Sequence, residues 1–162
     1  MAEIKYIIFG LGEQNYSMKL SRINGIEQVY NIIPVPKTDQ CIQGIIHLRN
    51  EIVPVYDLKY RFGIEEERED ANKQLLVIQN KDIRLGIEVD EVIGIIAVPE
   101  ENIKESPQVV RNGDTGYLEN VIKVHFAETD TDEIMLSIDV DNLVSESELM
   151  SLHQAMEQTE EE

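Results

Sequence analysis

Apolar and polar residues fall into short runs divided by turn formers along this chain, and the spacing predicts strands more than helices. Residues 4–9 form the first apolar run, closed by the loop Gly10-Leu11-Gly12-Glu13-Gln14. Tyr16, Met18 and Leu20 then alternate with Ser17 and Lys19, the period of a half-buried strand. Residues 44–48 and 52–56 flank Arg49-Asn50-Glu51 and predict a hairpin in which Asn50 takes a left-handed backbone. Pro54 lies inside the second arm and lacks an amide hydrogen, so that strand is expected at a sheet edge or a bulge. Residues 75–78 and 83–89 predict a second hairpin around Gln79-Asn80-Lys81-Asp82, and residues 92–98 a further strand stopped by Pro99. After a polar stretch to Gly116 come residues 121–126 and 134–138. About ten strands at this spacing, divided by the acidic segment 65–73, predict small barrels.

Two segments depart from the pattern. Leu20, Ile23, Ile26 and Val29 are apolar at every third position, interrupted by Gly25. That spacing fits neither a clean strand nor a helix; the residues either close a barrel or form a bent edge facing a partner. At the other end, Ser145-Glu146-Ser147-Glu148 is a capping box and predicts one helix over 145–158. Leu149, Leu152, His153 and Met156 mark the face by which it docks. The acidic Glu160-Glu161-Glu162 opposes the helix dipole and is expected to fray.

Composition supports the β reading. Hydrophobic residues make up 42% of the chain, and 36 of the 68 are Ile or Val, whose branched side chains suit a pleated sheet. Charge then narrows the partners: 32 acidic residues against 14 Lys plus Arg give −18. Nucleic acid and anionic membrane surfaces both recruit basic residues, so neither is expected as a direct partner. The charge is unevenly placed, with 12 carboxylates and no Lys or Arg in residues 127–162. A second acidic run at residues 65–70 adds −4; such runs serve solubility, and the rest of the chain is close to neutral at −2. Cys41 stands alone, so no intrachain disulfide forms, and it is expected as a small buried hydrophobe. The opening residues read as a strand and not as a signal peptide, and residues 92–98 are too few to span a membrane. A cytoplasmic protein is the expectation.

Candidate chemistry is sparse. No nucleophile elbow, phosphate loop, dinucleotide fingerprint or zinc-type cluster is present, and His47, His125 and His153 have no ligand spacing. Glu128, Asp130, Asp132 and Glu133 fail as a calcium loop, because the sixth and twelfth positions from Asp130 hold Met135 and Asp141. They are expected in a polar hairpin turn. No metal, cofactor or catalytic residue is expected, and an enzyme is disfavoured.

The most specific stretch is Gly44-Ile45-Ile46-His47-Leu48-Arg49-Asn50-Glu51-Ile52-Val53-Pro54-Val55-Tyr56-Asp57-Leu58-Lys59. It resembles the signature of the CheW family of chemotaxis coupling proteins: Gly, two aliphatics, Asn-Leu-Arg-Gly, a variable residue, two aliphatics, Pro-Val, an aliphatic, then Asp-Leu-Arg. Residues 86–92 and 134–139 resemble two further blocks of that family. The resemblance implies an all-β fold of two packed SH3-like five-stranded β-barrels with a C-terminal α-helix. The first barrel is expected over about 1–73, the second over about 74–144 and the helix over 145–158. It implies no catalysis. It implies a coupler bridging methyl-accepting chemoreceptors and the histidine kinase CheA at arrays on the inner face of the membrane, reached only through the receptors. A similar module wired into another receptor–kinase pathway, such as surface motility, is the alternative.

In that family a receptor's helical tip lies in the apolar groove between the barrels, and the kinase's regulatory domain pairs barrel to barrel. The resemblance therefore puts kinase contacts at Ile7, Leu20, Ile23 and Ile26. It puts the receptor groove and its supporting turns at Gly44, Arg49, Ile52, Leu75, Gly86 and Val92. Departures are specific: His47 stands for Asn, Asn50 for Gly and Lys59 for the second Arg. Gly25 falls where many members have a Glu thought to pair with the signature Arg. Arg49 is expected to turn instead to Glu27, two residues on and on the same strand face.

Overall fold

The structure, a computed structural model, describes residues 2–35, 40–66, 72–80, 83–105 and 118–144, with Glu148, Met150, Leu152 and Gln154. Its described strands are β1 (Glu3–Leu11), β2 (Gln14–Lys19), β3 (Ile23–Glu27), β4 (Ile42–Leu48), β5 (Glu51–Tyr56), β6 (Gln74–Asn80), β7 (Ile83–Val89), β8 (Glu91–Pro99), β9 (Ile103–Glu105), β10 (Leu118–Phe126) and β11 (Thr131–Ile138). They form a six-stranded sheet in the order β8-β1-β2-β11-β10-β9 and a five-stranded sheet in the order β3-β6-β7-β5-β4. All neighbouring pairs are antiparallel except β11–β2 and β5–β7, which are parallel.

The two sheets interleave along the chain, so the expected division near residue 73 does not follow them. After β2 the chain turns through a short 3₁₀ segment, Leu20–Arg22, and builds the whole second sheet before returning at β8. β6 pairs back to β3 across that division, and β1 pairs with β8, which begins 80 residues after β1 ends at Leu11 and Glu91. Apolar spacing reports that a strand exists and which turn joins it to the next. It carries no information on a partner so distant in sequence.

Packing explains the continuous apolar runs. β1 sends Tyr6 and Ile8 into one core with Val98, Ile122, Val124 and Met135. Its alternate residues Ile7, Phe9 and Leu11 enter a larger core between the sheets. β6 divides likewise: Leu75 and Val77 pack with Ile46, Val53 and Val55 inside the second sheet, while Leu76 and Ile78 join the larger core. A strand buried on both faces loses the polar alternation that a half-buried strand shows. Each such side chain contributes about 1.5–3 kcal/mol of burial.

Several local expectations change. Leu20 lies in the 3₁₀ segment and not in β2. Ser17 is buried as fully as Met18, because β2 is flanked on both sides, and its hydroxyl donates to the Leu136 carbonyl at 3.1 Å. Pro54 sits in an internal strand, opposite Ile45; the parallel pairing of β5 with β7 begins only at Val55, and the register shift lies on β4 between Ile42 and Gly44. Arg49 and Asn50 form the hairpin tip with φ of 49° and 68°. A short helix α1 (Leu58–Phe62) was not expected, although its signals are in the sequence: Asp57 accepts from the Tyr60 amide at 3.0 Å, and Gly63 ends it at φ 69°. Of the two readings of the segment around Gly25, the edge is the one the sheet order supports: β3 ends the five-stranded sheet, with a register shift between Ile23 and Gly25.

A second short helix, α2 (Val140–Leu143), follows β11. Glu148, Met150, Leu152 and Gln154 are helical, and Leu152 is fully buried in the inter-sheet core. The Tyr56 hydroxyl donates to Glu148 Oε2 at 2.9 Å and ties that segment to β5. Ser145 to Ser147 of the capping box, and His153, lie outside the described residues.

Candidate functional site

Part of the resemblance signature has a structural task. Asp57 caps α1, Leu58 is 1% exposed, and Lys59 reaches Asp90 at 2.9 Å. Asp90, on the link from β7 to β8, also accepts from the Gly12 amide at 2.7 Å. One nearly buried carboxylate thus joins a turn of the first sheet to a helix of the second, its charge matched by an ammonium and a backbone donor. Asp57, Lys59 and Asp90 line a polar pocket of about 320 Å³ with Gln43, Tyr60 and Glu88. Glu88 in turn accepts from the Tyr30 hydroxyl at 2.7 Å and Gln43 Nε2 at 3.1 Å. Burial, then the hydrogen bond to Glu88, pushes the Tyr30 hydroxyl well above its ordinary pKa.

The apolar surface lies elsewhere, along the seam between the sheets. Ile95 on β8 is the register partner of Ile7 on β1, so the two share a face. The second sheet covers Ile7 completely, whereas Ile95 is 54% exposed. Val92 on β8 and Ile23 on β3 both pack partway onto the inter-sheet core. Ile26, two register positions further along β3, pairs with Leu76 and faces the same side. Two edge strands from different sheets therefore each carry exposed aliphatic side chains, Ile26 on β3 and Ile93 and Ile95 on β8. Edge strands usually carry charge or proline on such surfaces.

A second concavity opens on the opposite face of β3. It is a cleft of about 110 Å³ where Gly25 and Glu27 meet Leu48 and Arg49 of the β4–β5 tip, with Val77 and Arg84 behind them. Arg49 and Glu27 line the same cleft, as expected from their spacing, yet no ion pair joins them among the described residues. Arg84 pairs with Glu51 at 2.7 Å.

The residues expected at the kinase contact separate. Ile7 is fully buried and touches no surface; it can act only by supporting its neighbours. Leu20 and Ile23 are half-buried and Ile26 is exposed. Ile7 belongs to the six-stranded sheet and Ile23 and Ile26 to the five-stranded one, so they do not share a barrel. Of the receptor set, Arg49, Ile52 and Val92 are accessible, whereas Gly44, Leu75 and Gly86 are interior. Gly44 is required there, because a Cβ would lie 2.5 Å from the Ile33 carbonyl oxygen. Gly86 makes room for Leu75, whose Cδ2 would be 3.0 Å from a Cβ. Sequence reading missed Ile93 and Ile95; the available signal was a strand with apolar residues on both faces and no polar alternation.

Cys41 is buried, as expected. Ala127 to Asp130 form a turn between β10 and β11, as expected for the polar hairpin. His125 beside it lies 2.7 Å from Asp132 through Nδ1, an interaction that holds the Asp132 carboxyl below its ordinary pKa. Among the described residues no three His, Cys, Asp or Glu side chains are grouped to hold a metal ion, and no helix is long and apolar enough to cross a membrane.

Comparison with known proteins gives one consistent answer. A family model described as a CheW-like domain matches residues 5–148. The chain is 27% identical over 154 residues to the chemotaxis protein CheW of Treponema pallidum, covering 93% of this chain and 87% of that protein. It is 29% identical over 119 residues to the CheW of Bacillus subtilis, covering 74% and 76%. Its backbone is similar to the crystal structure of the scaffolding protein TtCheW from Thermoanaerobacter tengcongensis, with a TM-score of 0.77 and 28% identity over 89% of this chain and 94% of that one. The two sheets described above correspond to that two-domain β fold.

Proposed function

This chain belongs to the CheW-like family, and on that premise we propose that it is a non-enzymatic coupler between methyl-accepting chemoreceptors and the histidine kinase CheA. The observation that carries this reading is the apolar surface along β8, an edge strand that carries Ile93 and Ile95 exposed to solvent beside the inter-sheet core. A helical hairpin tip buries apolar side chains in just such a groove. In this reading Val92, Arg49 and Ile52 meet the receptor, and Gly44, Leu75 and Gly86 shape the strands that present them. Leu20, Ile23 and Ile26 meet the kinase's regulatory domain, with Ile7 supporting them from beneath. The chain works on the cytoplasmic side, at receptor arrays, and reaches the membrane only through its partners.

Co-sedimentation of the full chain with a receptor tip fragment and with the kinase regulatory domain tests the proposal. Binding to both is expected. A charged residue at Ile23 should weaken the kinase contact more than the receptor contact, because a buried interface charge lacks a partner. Failure to bind either protein would end the reading.

A further inference from the structure

We propose that Asp90 is the positioning residue of the receptor-binding surface: gripped by Lys59 and the Gly12 amide, it fixes how the two sheets meet and so the course of β8. The proposal rests on the coupling function above and adds to it the device that keeps the surface in shape for docking.

The chain passes between the sheets from β2 to β3 and back from β7 to β8, and both crossings are clamped. At the first, Arg22 donates to Asp141 at 2.9 Å and to the Gln79 carbonyl at 3.3 Å. The Arg22 and Asp141 side chains are 35% and 51% exposed, so water screens that ion pair and it holds weakly. At the second, the Asp90 side chain is 2% exposed and its Lys59 partner 18%. A carboxylate so buried holds its partners firmly, because losing one leaves a charge uncompensated.

The helix that supplies Lys59 braces one sheet against the other. Phe62 of α1 packs against Tyr16 of β2 with ring centroids 5.2 Å apart. Ile64, just past the helix, lies over the β1–β2 turn, where a Cβ at Gly12 would come 2.7 Å from its Cγ2. Gly12 has a φ of 59°, so glycine suits both the backbone and the close approach. Lys59, Phe62 and Ile64 therefore dock the second sheet's helix on the first sheet's hairpin, with Asp90 between them.

Asp90 is also the residue from which β8 starts. Its amide donates to the Gly10 carbonyl at 2.9 Å. Two register pairs follow, Gly10–Glu91 and Phe9–Val92, before the register shifts between Phe9 and Ile8. With so short a ladder ahead of the shift, the direction of the strand carrying Val92, Ile93 and Ile95 depends on the anchor at its start. A binding surface keeps its geometry only where the groups behind it are themselves held.

Three measurements test this on the full chain: receptor-tip affinity by calorimetry, stability in urea, and inter-sheet distance by pulsed electron spin resonance. The spin labels go on His47→Cys and Glu128→Cys, both exposed positions, while Cys41 is buried. Lys59→Met should lower the urea midpoint and weaken tip binding about tenfold. Lys59→Arg keeps the charge and should stay within about twofold of the parent, as should Arg22→Gln at the exposed clamp. The deciding variant joins Lys59→Met to Asp90→Asn. It should regain most of the lost stability, since no buried charge is left unpaired. It should still bind the tip about tenfold more weakly and show a broader inter-sheet distance distribution. If that double variant binds like the parent, or its distance distribution is unchanged, Asp90 only stabilises the fold and the positioning role is wrong while the coupling function stands. A parent chain that binds no receptor tip overturns the function and this role together.

Discussion

Ile26 and Leu76 are register partners on adjacent strands, and so are Ile95 and Ile7. Each pair sets one aliphatic side chain against another on one sheet face, yet Leu76 and Ile7 are fully buried while Ile26 is 38% and Ile95 is 54% exposed. The difference is position in the sheet: β6 and β1 have a neighbour on each side, whereas β3 and β8 end their sheets. Composition cannot separate the two cases, because β8 is at least as rich in Ile and Val as β1. Apolar residues on a central strand hold the fold together. The same residues on an edge strand remain available to a partner, and in a chain of net charge −18 they form a nearly neutral exception.

The largest effect belongs to the central strands. Leu76→Ala and Ile7→Ala should each lower the unfolding free energy by about 2–5 kcal/mol, read from urea denaturation, because each leaves a cavity in the inter-sheet core. For Ile7 this also separates support from contact: binding to the kinase domain should fail only as the fold does. A change at Ile7 that spares stability would erase the distinction between centre and edge.

Next comes a position where the second sheet closes on its own loop. Ile33 and Ile45 exchange backbone hydrogen bonds of 2.8 and 2.9 Å, and a methyl group at Gly44 would collide with the Ile33 carbonyl. Gly44→Ala should therefore cost about 1–3 kcal/mol. Faster amide exchange at Ile33 and Ile45 should accompany the loss and locate it. Unchanged protection there would mean that the loop, and with it the covered edge of β4, is held by something else.

A smaller effect tests how the C-terminal segment closes the inter-sheet core. Burial, then the charge of Glu148, keeps the Tyr56 hydroxyl far above its ordinary value of 10.0. The folded chain retains a proton that the unfolded chain releases, so the stabilisation is complete below about pH 10 and is lost as pH rises beyond it. Tyr30 acts in the same direction, through burial first and then its hydrogen bond to Glu88. Tyr56→Phe should cost about 1 kcal/mol at neutral pH and make the alkaline decline shallower without abolishing it. An unchanged decline would assign all of it to other groups.

Legibility in the sequence follows the same division between centre and edge. Both hairpins around Asn50 and Asn80 could be read, since their signals are local: turn residues and apolar runs within a few positions. The interleaving of the sheets could not, because β1–β8 and β3–β6 pairing is decided by packing between residues far apart in the chain. The site divides in the same way. The signature located Arg49 and the glycines, and geometry then explained Gly44 and Gly86 as clearance for Ile33 and Leu75. The resemblance put Ile7 at a partner contact, and nothing in residues 4–9 reveals that a second sheet covers it. Ile95 was passed over for the converse reason: its run resembles a buried strand, and it is exposed because no described strand pairs beyond β8.

The smallest effect on stability is also the sharpest test of the comparison. Ile95→Ser removes an aliphatic side chain from the same sheet face as Ile7, but from a position already half in water. Surface substitutions of this kind change stability by about 0.5 kcal/mol, so the urea midpoint should scarcely move. Receptor-tip affinity should fall instead, because a hydroxyl placed in an apolar groove must give up its water on docking. Ile7→Ala should give the reverse pattern, a large loss of stability with binding intact in whatever fraction remains folded. A two-by-two measurement of stability and affinity on these register partners therefore separates what holds the fold from what meets a partner. Equal stability losses at both positions would mean that the edge strand is covered within the chain, and that its isoleucines are core after all.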